Sequence, residues 1–126
     1  MSQSCILLVE SDILVRTSLA EYLRECGYRV IEAIDADEAR QLLALDVRPI
    51  DVVLADVNAS EGGFGLAGWV RENRPGTEVI LTGSTRRAVE RAGDLCREGS
   101  AVAPYDHSLV LDRIRRLIAA RDRAPQ

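Results

Sequence analysis

The feature that most constrains this chain is a series of short apolar runs, each followed by a segment with helical spacing. The runs are nearly continuous rather than alternating, which is typical of strands in a parallel sheet that helices cover on both faces. Turn or capping residues bound each run, as expected for separate strands. The predicted strands span residues 5–9, 28–33, 50–55, 78–82 and, more weakly, 101–103.

Apolar residues spaced three and four apart predict a helix after each strand. Ser11 or Asp12 can cap the first helix, which Gly27 ends, and Asp35 can cap the second, which Pro49 stops. The core-facing residues of the five helices are, in chain order, Val15, Leu19, Leu23 and Cys26; Ala39, Leu42 and Leu43; Leu66, Trp69 and Val70; Val89, Ala92, Leu95 and Cys96; and Val110, Ile114, Leu117 and Ile118. Strict alternation predicts one α/β domain over residues 4–121, with flexible termini at 1–3 and 122–126.

Composition limits the classes of partner and compartment. The net charge of -4 gives no general attraction to nucleic acid or anionic lipid. The apolar runs are too short to cross a bilayer and the start MSQSC lacks signal-peptide features, so we expect a cytoplasmic protein with no membrane or nucleic-acid partner. Cys5, Cys26 and Cys96 are odd in number and widely spaced, which favours reduced packing thiols. All 16 basic residues are arginine.

Polar residues collect where the predicted strands end. In open parallel sheets the working crevice lies beyond the carboxyl ends of the strands, and with a strand order 2-1-3-4-5 it would bring Glu10 and Asp56 together, with Thr82 ending the next strand. Two carboxylates without a counter-charge repel and invite a hard cation such as Mg²⁺. The alternative is that Glu10 is solvated and Asp56 only caps a turn.

The chain resembles the receiver domains of two-component response regulators over nearly its whole length. The resemblance runs through ILLVESDILVR, GYRVIEAIDADEARQLL, DVVLADVN and VILTGS to PYDHSLVLDRIRRLI. It implies a doubly wound, flavodoxin-like (βα)5 fold, with a five-stranded parallel sheet in order 2-1-3-4-5 and helices on both faces.

The resemblance also implies roles for individual residues. Asp56 would accept a phosphoryl group from a histidine kinase, Mg²⁺ would be held by Glu10, Asp56 and the backbone carbonyl of Asn58, and Thr82 would turn toward the phosphoryl oxygens. Tyr105, in the Pro-Tyr pair that follows the family's lysine position, would belong to the same switch.

The sequence departs from the family pattern at this site. Ser11 stands where a second acidic residue usually contacts the metal. Asp12 lies one residue further, where it can cap the helix or reach into the site. Both residues are candidates to contact the metal ligands rather than the metal itself. Ala103 occupies the lysine position, for which Arg86 or Arg87 is a candidate substitute. The loop after Asp56 is altered over residues 59–63, and we expect weak Mg²⁺ binding and impaired or atypical activation.

Two functions remain open at this point. The first is a stand-alone bacterial receiver that relays phosphorylation of Asp56 to an unknown output protein, with no enzymatic activity beyond its own phosphorylation and dephosphorylation. The alternative is a pseudo-receiver that acts without phosphorylation as an interaction or dimerisation module, and a homodimer would use the fourth helix, fifth strand and fifth helix. His107 is expected to be solvated. The Met1 start suggests a natural short chain, although a receiver excised from a larger protein is an alternative.

Overall fold

The computed structural model describes residues 4–45, 49–58, 63–98 and 106–123. Strands and helices alternate along the chain until the last two elements, which are both helices. The elements are β1 (Cys5–Val9), α1 (Ile13–Glu25), β2 (Arg29–Ala33), α2 (Ala36–Leu45), β3 (Val52–Asp56), α3 (Gly63–Asn73), β4 (Glu78–Thr82), α4 (Thr85–Glu98) and α5 (His107–Arg123).

The sheet is parallel, as predicted, and within the described residues it contains four strands in the order β2-β1-β3-β4. The order of these four strands agrees with the predicted order 2-1-3-4-5, and the predicted fifth strand is not among the described strands. Residues 101–103, the predicted fifth strand, lie outside the described residues. Their alanine-rich sequence has low strand propensity, which made this the weakest of the predicted runs.

Each face of the sheet is covered by its own apolar core. Ile6, Leu8, Leu54 and Ile80 point to one face, where α1, α4 and α5 pack over them. Leu7, Val9, Val53 and Ala55 point to the other, under α2 and α3. Because both faces are buried, β1 has no exposed residue, which explains its uninterrupted apolar run.

Helix α4 lies on the same face of the sheet as α1. Successive right-handed β-α-β connections that add strands in one direction place their helices on one face, so a helix continuing the β3-α3-β4 series would lie beside α3. Instead Val89, Ala92 and Leu95 of α4 join the core formed by α1. Helix α5 packs against both α1 and α4, so three helices cover one face and two cover the other.

A disulfide joins Cys26 and Cys96, which contradicts the prediction of three reduced thiols. Cys26 is the C-terminal cap of α1 and Cys96 lies in the last turn of α4. Their Cα atoms are 5.4 Å apart, although 70 positions separate them in the chain. Spacing along the sequence could not reveal this pair, because it forms only when α4 packs beside α1. Cys5 is a buried free thiol, as predicted, and burial raises its pKa.

Helix α5 extends to Arg123, two residues beyond the predicted end of the domain at residue 121. Residues 1–3 and 124–126 lie outside the described residues. None of the helices in the described ranges is long and apolar enough to cross a membrane.

Candidate functional site

The predicted site residues on β1, β3 and β4 lie side by side at the carboxyl edge of the sheet. Val9 pairs with Ala55 across β1 and β3, so Glu10 and Asp56 come next in the two neighbouring strands. Asp56 pairs with Thr82 across β3 and β4, and the N–H of Val57 donates to the Thr82 carbonyl over 2.9 Å. Parallel register therefore brings the three side chains to one edge, with Asp56 in the middle.

Glu10 is an acidic group in a nearly closed environment, because only 6% of its surface is exposed. Its backbone N–H donates to the Ala33 carbonyl over 3.0 Å, and its Oε2 accepts a hydrogen bond from the Asp12 N–H over 2.8 Å. Burial raises the pKa of Glu10, and the nearby charges of Asp56 and Asp12 raise it further, against the lowering effect of the Asp12 N–H. Burial is thus the main reason that the charged form of Glu10 is disfavoured, and the nearby carboxylates add to this effect.

Asp12 caps α1, which decides between the two predicted capping residues. Its Oδ1 accepts hydrogen bonds from the N–H groups of Leu14 (2.9 Å) and Val15 (3.4 Å), while Ser11 is exposed. Arg121 Nη1 lies 3.1 Å from Oδ2 and 3.3 Å from Oδ1 of the same carboxylate. Burial alone would raise the pKa of Asp12, but the hydrogen bonds from Arg121, Leu14 and Val15 outweigh it and the pKa is lowered.

Asp56, the candidate phosphoacceptor, is half-buried and its orientation is held by Asn58. Oδ1 of Asp56 accepts from the Asn58 backbone N–H over 3.1 Å and from Asn58 Nδ2 over 3.2 Å. This is the local turn expected when a short acidic residue ends a strand. The alternative that Asp56 caps a turn therefore corresponds to an observed contact, which occupies only Oδ1 of its carboxylate. Thr82 is 4% exposed and lies directly beside this carboxylate.

The arginines near the site are not the ones that the sequence suggested. Arg86 and Arg87 are exposed on the first turn of α4, and Arg87 pairs with Glu90 over 3.6 Å. Arg16 instead donates to the Glu10 carbonyl over 2.9 Å, and Arg121 holds Asp12.

The sequence carried a weak signal for Arg16 and none for Arg121. Arg16 follows the Asp12 cap by four positions, which is one helical turn. Arg121 reaches the site only because α5 packs along α1, and no local pattern encodes that packing.

The residues present fit a weak site for Mg²⁺. Two neighbouring carboxylates, those of Glu10 and Asp56, supply the hard oxygen ligands that Mg²⁺ prefers, and Mg²⁺ completes its octahedral shell with water. The resemblance adds the backbone carbonyl of Asn58 as a third ligand. The raised pKa of Glu10 comes first from burial, and the neighbouring charge of Asp56 adds to it. Within the described ranges no group of three or more His, Cys, Asp or Glu side chains is arranged to hold a metal.

Several predicted residues lie outside the described part of the chain or away from the site. Ala103, Tyr105 and residues 59–62 of the altered loop are outside the described residues. His107 is half-buried rather than solvated, because α5 crosses α4 at Gly93, where an added Cβ would lie 2.7 Å from His107 Nδ1. The prediction of an exposed His107 was therefore wrong.

Comparison with known proteins identifies two curated relatives with clear sequence similarity. The chain is 37% identical over 112 residues to the transcriptional regulatory protein PdtaR of Mycobacterium tuberculosis, covering 86% of this chain and 54% of that protein. It is 31% identical over 115 residues to the response regulator protein FleR of Pseudomonas aeruginosa, covering 88% of this chain and 24% of that protein. The chain thus spans about half or less of these relatives. No family model matches it.

A solved structure agrees with these relatives. The signal receiver domain of an HD domain-containing protein from Pseudomonas fluorescens aligns with a TM-score of 0.61 and 25% identity, over 98% of this chain and 96% of that one. The alignment covers nearly the whole of both chains, so fold and sequence indicate the same relationship.

Proposed function

Because the chain belongs to the receiver domains of response regulators, we propose that it accepts a phosphoryl group on Asp56 and relays the change to a partner protein. The donor would be a histidine kinase or a phosphotransfer protein. The observation that carries the proposal is the placement of Asp56 between Glu10 and Thr82 at the carboxyl edge of the sheet.

The proposed step is nucleophilic attack by the Asp56 carboxylate on phosphorus. A bond forms between a carboxylate oxygen and phosphorus, the bond from phosphorus to the donor's histidine nitrogen breaks, and the imidazole keeps that electron pair. Asn58 holds Oδ1 of Asp56 and so orients the carboxylate for attack. Mg²⁺, when bound by Glu10, Asp56 and the Asn58 carbonyl, would supply positive charge to the transferring oxygens.

Thr82 is the residue that we propose reads the new charge. The phosphorylated side chain carries close to two negative charges and three acceptor oxygens, to which the Thr82 hydroxyl can donate. Thr82 ends β4, and α4 begins three residues later at Thr85, so a movement of Thr82 acts directly on α4. Helices α4 and α5, which pack against each other, would then transmit the change to an output partner.

Further parts of the proposal concern context. We infer a cytoplasmic protein without enzymatic activity beyond its own phosphorylation and dephosphorylation. We also infer a partner surface on α4 and α5, whose exposed arginines suit an acidic partner or a second copy. The exposed arginines of α5 are Arg113, Arg115, Arg116, Arg121 and Arg123, of which Arg113 and Arg121 are paired with Glu21 and Asp12 of the α1 region.

A second function is favoured by one observation: Asp12, the acidic residue that follows Ser11, is already paired with Arg121. Together with Ser11 and the missing lysine, this contact would let the domain hold its structure without a metal or a phosphoryl group. The chain would then act as a phosphorylation-independent interaction or dimerisation module.

Intact-mass spectrometry after incubation with acetyl phosphate, with and without Mg²⁺, distinguishes the two functions. We expect a Mg²⁺-dependent phosphoryl adduct on the wild type and none on Asp56→Asn. Asp51→Asn is a matched control, since Asp51 lies at the opposite end of the same strand, where its Oδ2 accepts from the Cys5 N–H over 2.8 Å. No adduct on the wild type, under conditions that fully modify an ordinary receiver, would favour the interaction module.

A further inference from the structure

Helix α5 runs antiparallel to α1, which places its last turn at the acidic edge of the sheet. Two ion pairs define this direction. Arg113, early in α5, lies 3.3 Å from Glu21 in the second half of α1, and Arg121, near the end of α5, lies 3.1 Å from Asp12 at the start of α1. Ile114 is buried between these pairs and Val110 is buried just before the first of them, so the packed face of α5 extends from its first turns to the pair with Asp12.

The contact between Arg121 and Asp12 is closely connected to the carboxylate site. Both oxygens of Asp12 lie within 3.3 Å of Arg121 Nη1. The backbone N–H of Asp12 donates to Glu10 Oε2 over 2.8 Å, so Arg121, Asp12 and Glu10 form one connected chain of contacts. Glu10 in turn lies beside Asp56 in the neighbouring strand. A guanidinium from the far end of the sequence is therefore built into the rim of the acidic edge.

We propose that Arg121 is a built-in counter-charge of this site, which competes with a divalent cation for its negative field. This inference rests on the proposed function, because it assigns the regulation of the same carboxylates. Arg121 partly neutralises the edge while it is paired with Asp12, so cation binding is weaker than the carboxylates alone would allow. Movement of the last turn of α5 away from Asp12 would restore the full negative charge, which couples the position of α5 to the affinity for Mg²⁺.

The size of the effect follows from the charge that is removed. One unit charge within about 10 Å of a divalent ion, in a partly solvated environment, changes the ion's affinity by about three- to ten-fold at low salt. The ion pair itself is half exposed and contributes little to stability, so its removal should leave the fold intact.

The test is a Mg²⁺ titration of the unphosphorylated chain, followed by calorimetry and by the amide resonance of Asn58. Arg121→Gln is expected to bind Mg²⁺ three- to ten-fold more tightly than the wild type. Arg123→Gln removes the same charge from the same exposed helix end and is expected to stay within two-fold of the wild type. Arg121→Lys keeps the charge and should bind Mg²⁺ nearly as the wild type does.

Three outcomes would overturn the inference. An equal increase of the Mg²⁺ affinity in Arg121→Gln and Arg123→Gln would show a general charge effect. An unchanged Mg²⁺ affinity of Arg121→Gln would show a purely structural contact. Finally, no Mg²⁺ binding by any variant would show that releasing Asp12 creates no cation site. Binding by Arg121→Gln alone would support it. Phosphorylation of Asp56 is measured separately by the acetyl phosphate experiment, so failure of the proposed function remains distinguishable.

Discussion

Reduction of the bond between Cys26 and Cys96 should destabilise this domain strongly. The bond links the end of α1 to the last turn of α4 across 70 positions of sequence, so it restricts a large loop of the unfolded chain. Loop-closure entropy for that length corresponds to about 4 kcal/mol at 25 °C. A domain of this size has a free energy of unfolding of about 5–15 kcal/mol, so the bond supplies a substantial share of it. The melting temperature should fall by about 10–20 °C.

Urea unfolding of the oxidised and reduced wild type measures this difference without any mutation. Trp69, the single tryptophan, lies on α3 under the opposite face of the sheet and reports global unfolding rather than events at the bond. Cys5→Ala is the matched control, because Cys5 is a buried cysteine outside the disulfide. Oxidised Cys5→Ala should remain sensitive to reductant, whereas Cys26→Ala should not.

Two results would refute this reasoning. A thiol count on the unreduced, unfolded chain should find one free thiol, that of Cys5, and a count of three would mean that the bond does not form. Alternatively, the oxidised and reduced chains could unfold at the same urea concentration. The constraint on the unfolded state would then be offset by native-state effects, and α4 would pack beside α1 without the bond.

Three further predictions concern packing and charge. Gly93→Ala should lower the free energy of unfolding by about 1–3 kcal/mol in a urea titration, because the added Cβ would lie 2.7–2.9 Å from His107. The control is Gly68→Ala in α3, whose added Cβ would have no atom within 4 Å and which should be neutral or stabilising. Glu10→Gln should stabilise the domain at pH 7, since burial raises the pKa of Glu10 and its charged form disfavours folding. The gain in stability should vanish below the ordinary carboxyl pKa, which thermal melts from pH 3 to 8 would measure. A lower melting temperature of Glu10→Gln at pH 7 would contradict this reasoning. Asp12→Ala should lower the free energy of unfolding by about 1–2 kcal/mol, because α1 loses its cap. Because the pKa of Asp12 is lowered, this loss should be present above the ordinary carboxyl pKa and should disappear as acid protonates Asp12. A loss that is independent of pH in chemical unfolding would contradict the assignment.

Much of the fold could be predicted from local patterns. The four described strands lie within two residues of their predicted bounds, because continuous apolar runs bounded by turn residues are a strong strand signal. Asp35 accepts from the Glu38 N–H over 2.8 Å, as expected of the predicted cap of α2. The fifth strand was predicted from a weaker signal, since its short alanine-rich run has little apolar surface.

The candidate site, too, could be predicted only in part from local patterns. Glu10, Asp56 and Thr82 could be placed together from sequence, because each ends a strand and parallel strands end at one edge. The true cap of α1 was narrowed to two residues, and the structure chose Asp12. Arg121 could not be assigned to the site from sequence, since 109 positions separate it from Asp12.

The sequence by itself determined the parallel sheet, the limits of most helices and the acidic edge. These features depend on residues within a few positions of one another, or on the shared direction of parallel strands. Only the tertiary structure decided that α4 lies beside α1, that Cys26 meets Cys96 and that α5 runs antiparallel to α1. Helical periodicity shows which face of a helix is buried but not against which partner, and that choice comes from the packing of complementary surfaces.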